Sequence, residues 1–521
     1  MSSLLRPRFL GVGALVLVAC APVAKGEMRF AEPFFIPKPQ SYAQVSNDCV
    51  VLDAAQTVRI ACRDESDSAV RWAEAHLREW FKAARRGPWG LCSNVPRVVA
   101  EPFVGEAPAG GTEAYELTAA SATGVRIRAL TLAGVRHALY TLRQMAQANR
   151  GTERISHYMM PGCRVADSPA LAFRGLHLCW FPETPPKRIE RLVRLAAYLK
   201  FNYVVIEPWG VYRWKSHPEF CWPTASVTAS ELSRLVRLGR ELGVTLCPQL
   251  NVFGHAAMSR FVNGKHTVLD LDPSLQPIFE PTGGWNWCLS NPATRRVLTD
   301  LMNELMDVFE NPPYFHIGCD EAEKPNCATC CAVPYAELVI DHIRTMRDVA
   351  ARRKARVMMW HDMLLDRGRG EWEPFYARGT SETAKLLDVL PKDVVICDWC
   401  YLAPQTAYPT FPYFLSRGYD VLTCPWRDVA GVSRQGREAR EQGLMGLLET
   451  TWHTFEGYAL PAMATTAANA AWGRGGEGPY DREFRLGLPT YLRQIGWDMG
   501  LDSRDDTGYG KYDLMPFQPP E

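Results

Sequence analysis

Neither sign of charge predominates in this 521-residue chain: 58 Lys and Arg face 57 Asp and Glu, a formal net charge of +1. A nucleic-acid binder neutralises phosphates with surplus basic side chains, so that class is excluded. Charged residues are sparse overall, at 22%, and long apolar runs are missing beyond the first two dozen positions. A membrane span needs about 20 consecutive apolar residues, and Gly11 to Ala19 provides roughly half of that. Preceded by Arg6 and Arg8, this run makes Met1–Gly26 an export signal. Leu17-Val18-Ala19-Cys20 looks like a bacterial lipobox, which would leave Cys20 as a lipidated N-terminus in the cell envelope. Ala19-Cys20-Ala21 equally fits ordinary small-x-small cleavage, with release to the periplasm or medium.

Aromatic residues are abundant. The 16 Trp, 19 Tyr and 21 Phe exclude intrinsic disorder. Together with the low charge they suggest a surface that meets something flat and partly apolar. With Cys20 set aside, fifteen cysteines remain, an odd number that cannot all pair. Cys179, Cys247, Cys397 and Cys424 stand in apolar runs and read as small buried hydrophobes. Cys327-x-x-Cys330-Cys331, near Cys319, suits a metal knuckle, a disulfide or plain thiols. Zinc usually draws its four ligands from two separated pairs. No second C-x-x-C lies nearby, so no metal is assigned.

Four segments are expected: the signal (1–26), an α/β domain (27–165), a catalytic domain (166–500) and a C-terminal tail (501–521). In the first domain short β-like runs (Val50–Leu52, Val58–Ile60, Tyr115–Leu117, Val125–Ile127) alternate with helical periodicity over Ala69–Ala84 and Gly134–Ala148. From about 170 a short apolar strand, a polar or aromatic end and a helix recur. Strands are expected at Phe173–Trp180, Tyr203–Glu207, Thr245–Asn251, Tyr314–Asp320, Val357–Trp360, Val394–Trp399, Val421–Trp426 and Leu444–Thr450. Eight strands alternating with helices over roughly 300 residues predict a (β/α)8 TIM barrel, whose functional groups gather at the C-terminal strand ends.

The fourth strand closes with Asp320-Glu321. Neighbouring side chains on a regular strand point to opposite faces, so both serve one pocket only where the backbone turns. Taken alone, the pair also suits the cap of a following helix. Other strand ends weigh against that: Trp180, Trp209, Trp360, Trp399, Trp426 and Trp452 sit at or just past them, with Arg174, Glu207 and His255 as polar companions. Carboxylates among aromatic walls read as glycoside hydrolysis.

The stretch His316-Ile317-Gly318-Cys319-Asp320-Glu321 resembles the His-x-Gly-Gly-Asp-Glu motif of family-20 glycoside hydrolases, the β-N-acetylhexosaminidases, with Cys319 in place of the second Gly. Glu113–Leu117, Ala133–Val135 and Thr141–Gln144 are similar to that family's N-terminal domain. Phe173-Arg174-Gly175, Lys200-Phe201-Asn202 and Phe253-Gly254-His255 are similar to its first three barrel strands. The resemblance implies exo-acting release of terminal N-acetylglucosamine or N-acetylgalactosamine from glycans. Cleavage would proceed with retention, through an oxazolinium formed by the substrate's own acetamido group. Asp320 would hold the acetamido N–H, and Glu321 would act as acid and then base, its proton retained with the help of Asp320's charge. Arg174 would bind the outer hydroxyls and His255 would stand near the acid. Trp360, Trp399 and Trp452 would line the pocket, and Tyr401 would reach the acetamido oxygen; Glu207 and Trp426 join the sugar-binding set from their places at strand ends rather than from the resemblance. No cofactor is implied. The sequence departs from the commoner pattern at Cys179, at Glu207-Pro208-Trp209, at Thr423-Cys424-Pro425-Trp426 and around Glu449, as a divergent branch would. A lacto-N-biosidase-like glycosidase and a non-catalytic glycan-binding surface lipoprotein are the alternatives.

Overall fold

In the computed structural model, residues 30, 33, 35–52, 56–81, 96–150, 155–182, 184–222, 226–257, 268–280, 283–401, 407–452 and 459–473 are described. The expected signal, Cys20 included, and the expected C-terminal tail lie outside them. No described helix is long and apolar enough to cross a membrane.

Residues 41–167 build a seven-stranded sheet. Its strands run in the order Ser41–Leu52, Ile155–Asp167, Tyr115–Ala120, Gly124–Ala129, Thr57–Cys62, Arg97–Ala100, with Gln147–Arg150 pairing beside Ile155–Asp167. The alternation that marks a half-buried strand is present: in Tyr115–Ala120 the side chains of Tyr115, Leu117 and Ala119 are buried. The helices Ser66–Trp80 and Leu132–Met145 cover the sheet, burying Trp72 and Leu77 from one, Leu139 and Leu142 from the other.

The second unit is an eight-stranded parallel sheet of Phe173–Trp180, Tyr203–Pro208, Thr245–Pro248, Tyr314–His316, Arg356–Trp360, Val395–Asp398, Val421–Thr423 and Gly446–Glu449. The first and eighth strands pair, and a bridge from Gln249 to His316 joins the third to the fourth, so a (β/α)8 barrel closes. Alternate residues point inward: Phe173, Val205, Cys247, Met358, Val395, Leu422 and Leu448 fill a separate interior cluster, with Cys397, Cys424, Trp360 and Trp399 in it too. Intervening helices such as Pro186–Tyr198 and Tyr335–Arg352 lay their apolar faces on the outside. The third, fourth, sixth, seventh and eighth strands stop earlier than their apolar runs suggest, whereas the fifth ends at Trp360 as expected. The backbone turns away to shape the mouth.

Inward and outward alternation corrects the expectation for Arg174. Phe173 points into the barrel, so Arg174 points out, near the strand's first residue, away from the mouth. It is 1% exposed. Its guanidinium donates to Glu113 through Nη2 (2.6 Å) and Nη1 (3.1 Å), and to the Lys200 carbonyl through Nε (3.0 Å). Burial opposes the charge on Glu113, yet His137 and Arg174 hold its carboxyl well below the usual range. Beside this pair Lys200 meets Asp167 at 2.9 Å, and Trp472 Nε1 donates to the same carboxylate at 2.9 Å. Arg174 is therefore a clamp between the two domains. Arg174→Ala is expected to lower unfolding free energy by about 3 kcal/mol, because it strands Glu113 in a largely buried setting. Denaturant unfolding checks this; unchanged stability with a raised KM would return Arg174 to the pocket.

Candidate active site

The fourth strand leaves the ladder after His316, and the backbone then takes left-handed values at Gly318 (φ +65°), Cys319 (φ +74°) and Glu321 (φ +47°). That sequence of turns brings Asp320 and Glu321 to the same opening. The next described helix, Ala328–Cys331, is capped by Cys327, so neither carboxylate serves as its cap. Gly318 is required twice over, since a Cβ there would come within 2.1 Å of Asn251 Oδ1. Cys319 occupies a conformation that costs an L-residue roughly 1 kcal/mol or more, which accounts for glycine as the ordinary residue of the motif.

Asp320 is fixed and Glu321 reachable. Asp320 is 4% exposed, and Asn251 Nδ2 donates to its Oδ1 at 3.3 Å. Behind Asn251 stand Gln249 (3.0 Å) and then His177 (3.0 Å). The loop after the third strand supplies His255, whose Nε2 lies 3.3 Å from Asp320 Oδ2 and 3.4 Å from Glu321 Oε2. One imidazole nitrogen thus touches both carboxylates. The preceding Gly254 lets the loops meet: a Cβ there would come within 2.2 Å of the Asp320 carbonyl oxygen. Trp285 packs on His255 with ring centres 4.4 Å apart, and its Nε1 donates to the Glu321 carbonyl at 2.8 Å.

Two further residues escaped the sequence reading. Asp362, fully buried two residues past Trp360, accepts the Glu321 backbone N–H on Oδ2 at 2.8 Å, and its Oδ1 has no hydrogen-bond partner among the described residues. Burial first, and then the charge of Asp320, push its carboxyl well above the usual range. Arg378 reaches Glu321 Oε1 at 3.2 Å from the loop after the fifth strand. The expectation for Glu321 also needs correcting. Its carboxyl lies below its ordinary value: the His255 hydrogen bond lowers it, burial and the charge of Asp320 push the other way, and the charges of His255 and Arg378 help hold it down.

Aromatic rings enclose the opening. Trp360, fully buried, stacks near His316 (4.2 Å) and Trp452 (5.4 Å). Trp399 stacks on Tyr401 at 5.2 Å, Tyr401 meets Trp426 at 5.0 Å, and Tyr376 packs on Trp399 at 4.9 Å. Burial, and then the nearby charge of Asp320, push the Tyr401 phenol well above its ordinary value; a smaller push comes from Glu321. Tyr401 is therefore a neutral donor facing the carboxylates. Two sequence candidates lie apart: Trp180 turns outward to donate to the Thr184 carbonyl (3.0 Å), and Trp209 packs on Phe181 (5.0 Å). Glu207, in step with inward-pointing Val205, is buried beside Cys179 Sγ (3.5 Å) and lies 3.8 Å from His177 Nε2, behind the Gln249–Asn251 chain that reaches Asp320. Glu449 is fully buried, and that burial pushes its carboxyl well above the usual range.

The profile described as glycosyl hydrolase family 20, catalytic domain, matches residues 206–469, and that for domain 2 of the same family matches residues 32–168. The chain belongs to glycosyl hydrolase family 20. The two matches fall on the N-terminal α/β unit and on the barrel. A β-hexosaminidase subunit beta of Entamoeba histolytica is 26% identical over 41% of this chain and 39% of its own length. A β-hexosaminidase of Vibrio furnissii is 23% identical over 55% and 48%. The chain thus spans about half the length of these relatives or less. The Vibrio harveyi family-20 exo-β-N-acetylglucosaminidase, solved with N-acetylglucosamine, superposes with a TM-score of 0.65 at 16% identity, covering 90% of this chain and 77% of that one.

Proposed function

We propose that the chain is an exo-acting β-N-acetylhexosaminidase that removes terminal N-acetylglucosamine or N-acetylgalactosamine from glycans. The reading rests on one observation above all: adjacent Asp320 and Glu321 share the His255 nitrogen inside an aromatic mouth. In the mechanism, the acetamido carbonyl oxygen attacks the anomeric carbon and the glycosidic C–O bond breaks. Glu321 donates its proton to the departing oxygen. Buried, anchored Asp320 accepts the acetamido N–H and offsets the positive charge of the oxazolinium. Tyr401 donates to the acetamido oxygen. Glu321, now ionised, takes a proton from water as that water opens the ring, restoring both groups. Trp399 and Trp452 offer apolar faces to the sugar, and buried Trp360 backs Trp452 from beneath. Export from the cytoplasm, with or without a lipid on Cys20, is supported by the Met1–Gly26 sequence and belongs to the same proposal.

A panel of p-nitrophenyl glycosides tests it. Turnover of the N-acetyl-β-glucosaminide or β-galactosaminide, and none of the plain β-glucoside, is the expected pattern; the reverse overturns the reading. The pH profile carries a second expectation. Glu321 must enter protonated, so kcat/KM falls as pH rises through its pKa in the free enzyme. Arg378 helps to lower that pKa. Arg378→Gln therefore raises it, and the alkaline limb of kcat/KM moves to higher pH. A limb that stays put, or moves down, contradicts the contact.

A further inference from the structure

The short strands Phe279–Glu280 and Asn286–Trp287 form a hairpin between the third and fourth barrel strands. Cys288 follows it directly. Facing it, six and nine residues beyond Glu321, stand Cys327 and Cys330 on the loop after the fourth strand. Cys288 Sγ lies 3.9 Å from Cys327 Sγ and 3.8 Å from Cys330 Sγ. These three sulfurs and a carboxylate oxygen of Glu280 all fall within 4.8 Å of one another. Bonds of about 2.3 Å from zinc to sulfur at tetrahedral angles set sulfurs about 3.8 Å apart, which is the spacing present. A disulfide would need about 2.05 Å.

The surroundings are those of a prepared site. The Cys330 backbone N–H donates to Cys327 Sγ at 3.3 Å, which orients that sulfur. Glu280 Oε2 accepts the N–H groups of Asn326 (2.9 Å) and Cys327 (3.3 Å), while its buried Oε1 has no hydrogen-bond partner among the described residues. A cleft of about 430 Å³ lined in part by Glu280, Cys288, Asn326 and Cys327 gives an ion a way in from solvent. We propose that Glu280, Cys288, Cys327 and Cys330 bind one zinc ion in a closed tetrahedral site. Three thiolates and a carboxylate select zinc over the oxygen-loving magnesium and calcium, and no position is left for substrate.

The ion would cross-link two loops that matter to the mouth. The hairpin carries Trp285 and Asn286, which bond the Glu321 carbonyl and both backbone polar groups of Glu323's side of the loop: Asn286 Nδ2 donates to the Glu323 carbonyl (2.7 Å) and Oδ1 accepts its N–H (3.1 Å). Zinc would pin the same two segments a few residues further on, holding the Trp285 side of the site against the Asp320–Glu321 side. The proposal stands independently of the hydrolase reading, since metal content does not depend on turnover.

The full chain, purified under reducing conditions without chelator, equilibrated with zinc and desalted, is expected to hold about one zinc per chain. Cys330→Ser and Cys288→Ser are expected to drop below about a tenth of that, while Cys331→Ser, whose exposed side chain stands outside the cluster, keeps it. Cobalt offered to metal-stripped wild-type protein gives a readout that needs no folded variant: tetrahedral thiolate absorption is expected. Wild-type protein without zinc, a Cys330→Ser variant that retains it, octahedral cobalt spectra, or a mapped disulfide from Cys288 to Cys327 or Cys330 would each overturn the site.

Discussion

Glu321→Gln is expected to lower kcat about 10²- to 10⁴-fold on an aryl N-acetyl-β-glucosaminide, the usual worth of a positioned proton donor. Folding should survive the change. The Glu321 backbone is held by Asp362 and Trp285, and its side chain is one-third exposed, so the amide loses only the contacts with His255 and Arg378. The loss should shrink with a leaving group that departs readily without a proton, such as dinitrophenolate, because the acid's work in bond cleavage is then small. Equal losses for poor and good leaving groups would show that Glu321 is not the acid of that step.

Asp320→Asn is expected to cost about 10²- to 10³-fold in kcat, since it removes a fixed charge aimed at the developing cation. The amide has the shape of the carboxyl and retains an oxygen for Asn251, so the unfolding midpoint should stay close to wild type. A second consequence distinguishes charge from shape. The charge of Asp320 raises the pKa of Glu321, so its removal lowers that pKa, and the alkaline limb of kcat/KM shifts to lower pH. This is opposite in sign to Arg378→Gln. Two substitutions around one carboxyl that move the limb in opposite directions would place that carboxyl as the titrating acid.

The barrel was legible because each strand is a short apolar run with a polar or aromatic end, and Phe173–Trp180 has the limits its pattern suggests. Most later strands, the fifth at Arg356–Trp360 excepted, end sooner than their patterns suggest. Their apolar residues continue past the ladder into turns at Gly318 and Cys319, whose left-handed backbone leaves no mark in periodicity. The Asp320–Glu321 pair was legible as a motif, and the alternation argument gave the reason it must sit at a turn. Arg174 was misplaced because a motif match carried a role to it while the alternation with Phe173 pointed it outward. Asp362 had a signal that went unused, lying in step with Met358 and Trp360 on the inward side. Arg378 had none: it comes from an irregular loop, and only folding brings it to Glu321. The same holds for Glu280 and Cys288, which stand 47 and 39 residues before Cys327.

The most direct test is a series of aryl substrates whose N-acetyl group carries none, one, two or three fluorines. Fluorine withdraws electrons from the acetamido oxygen while the leaving group stays constant. If Asp320 and Glu321 assist that oxygen in closing a ring on the anomeric carbon, kcat/KM falls at every step and by more than about tenfold across the series, a barrier increase above about 1.4 kcal/mol. A rate that stays level as fluorines are added would mean that the protein or water supplies the nucleophile, and would contradict the account.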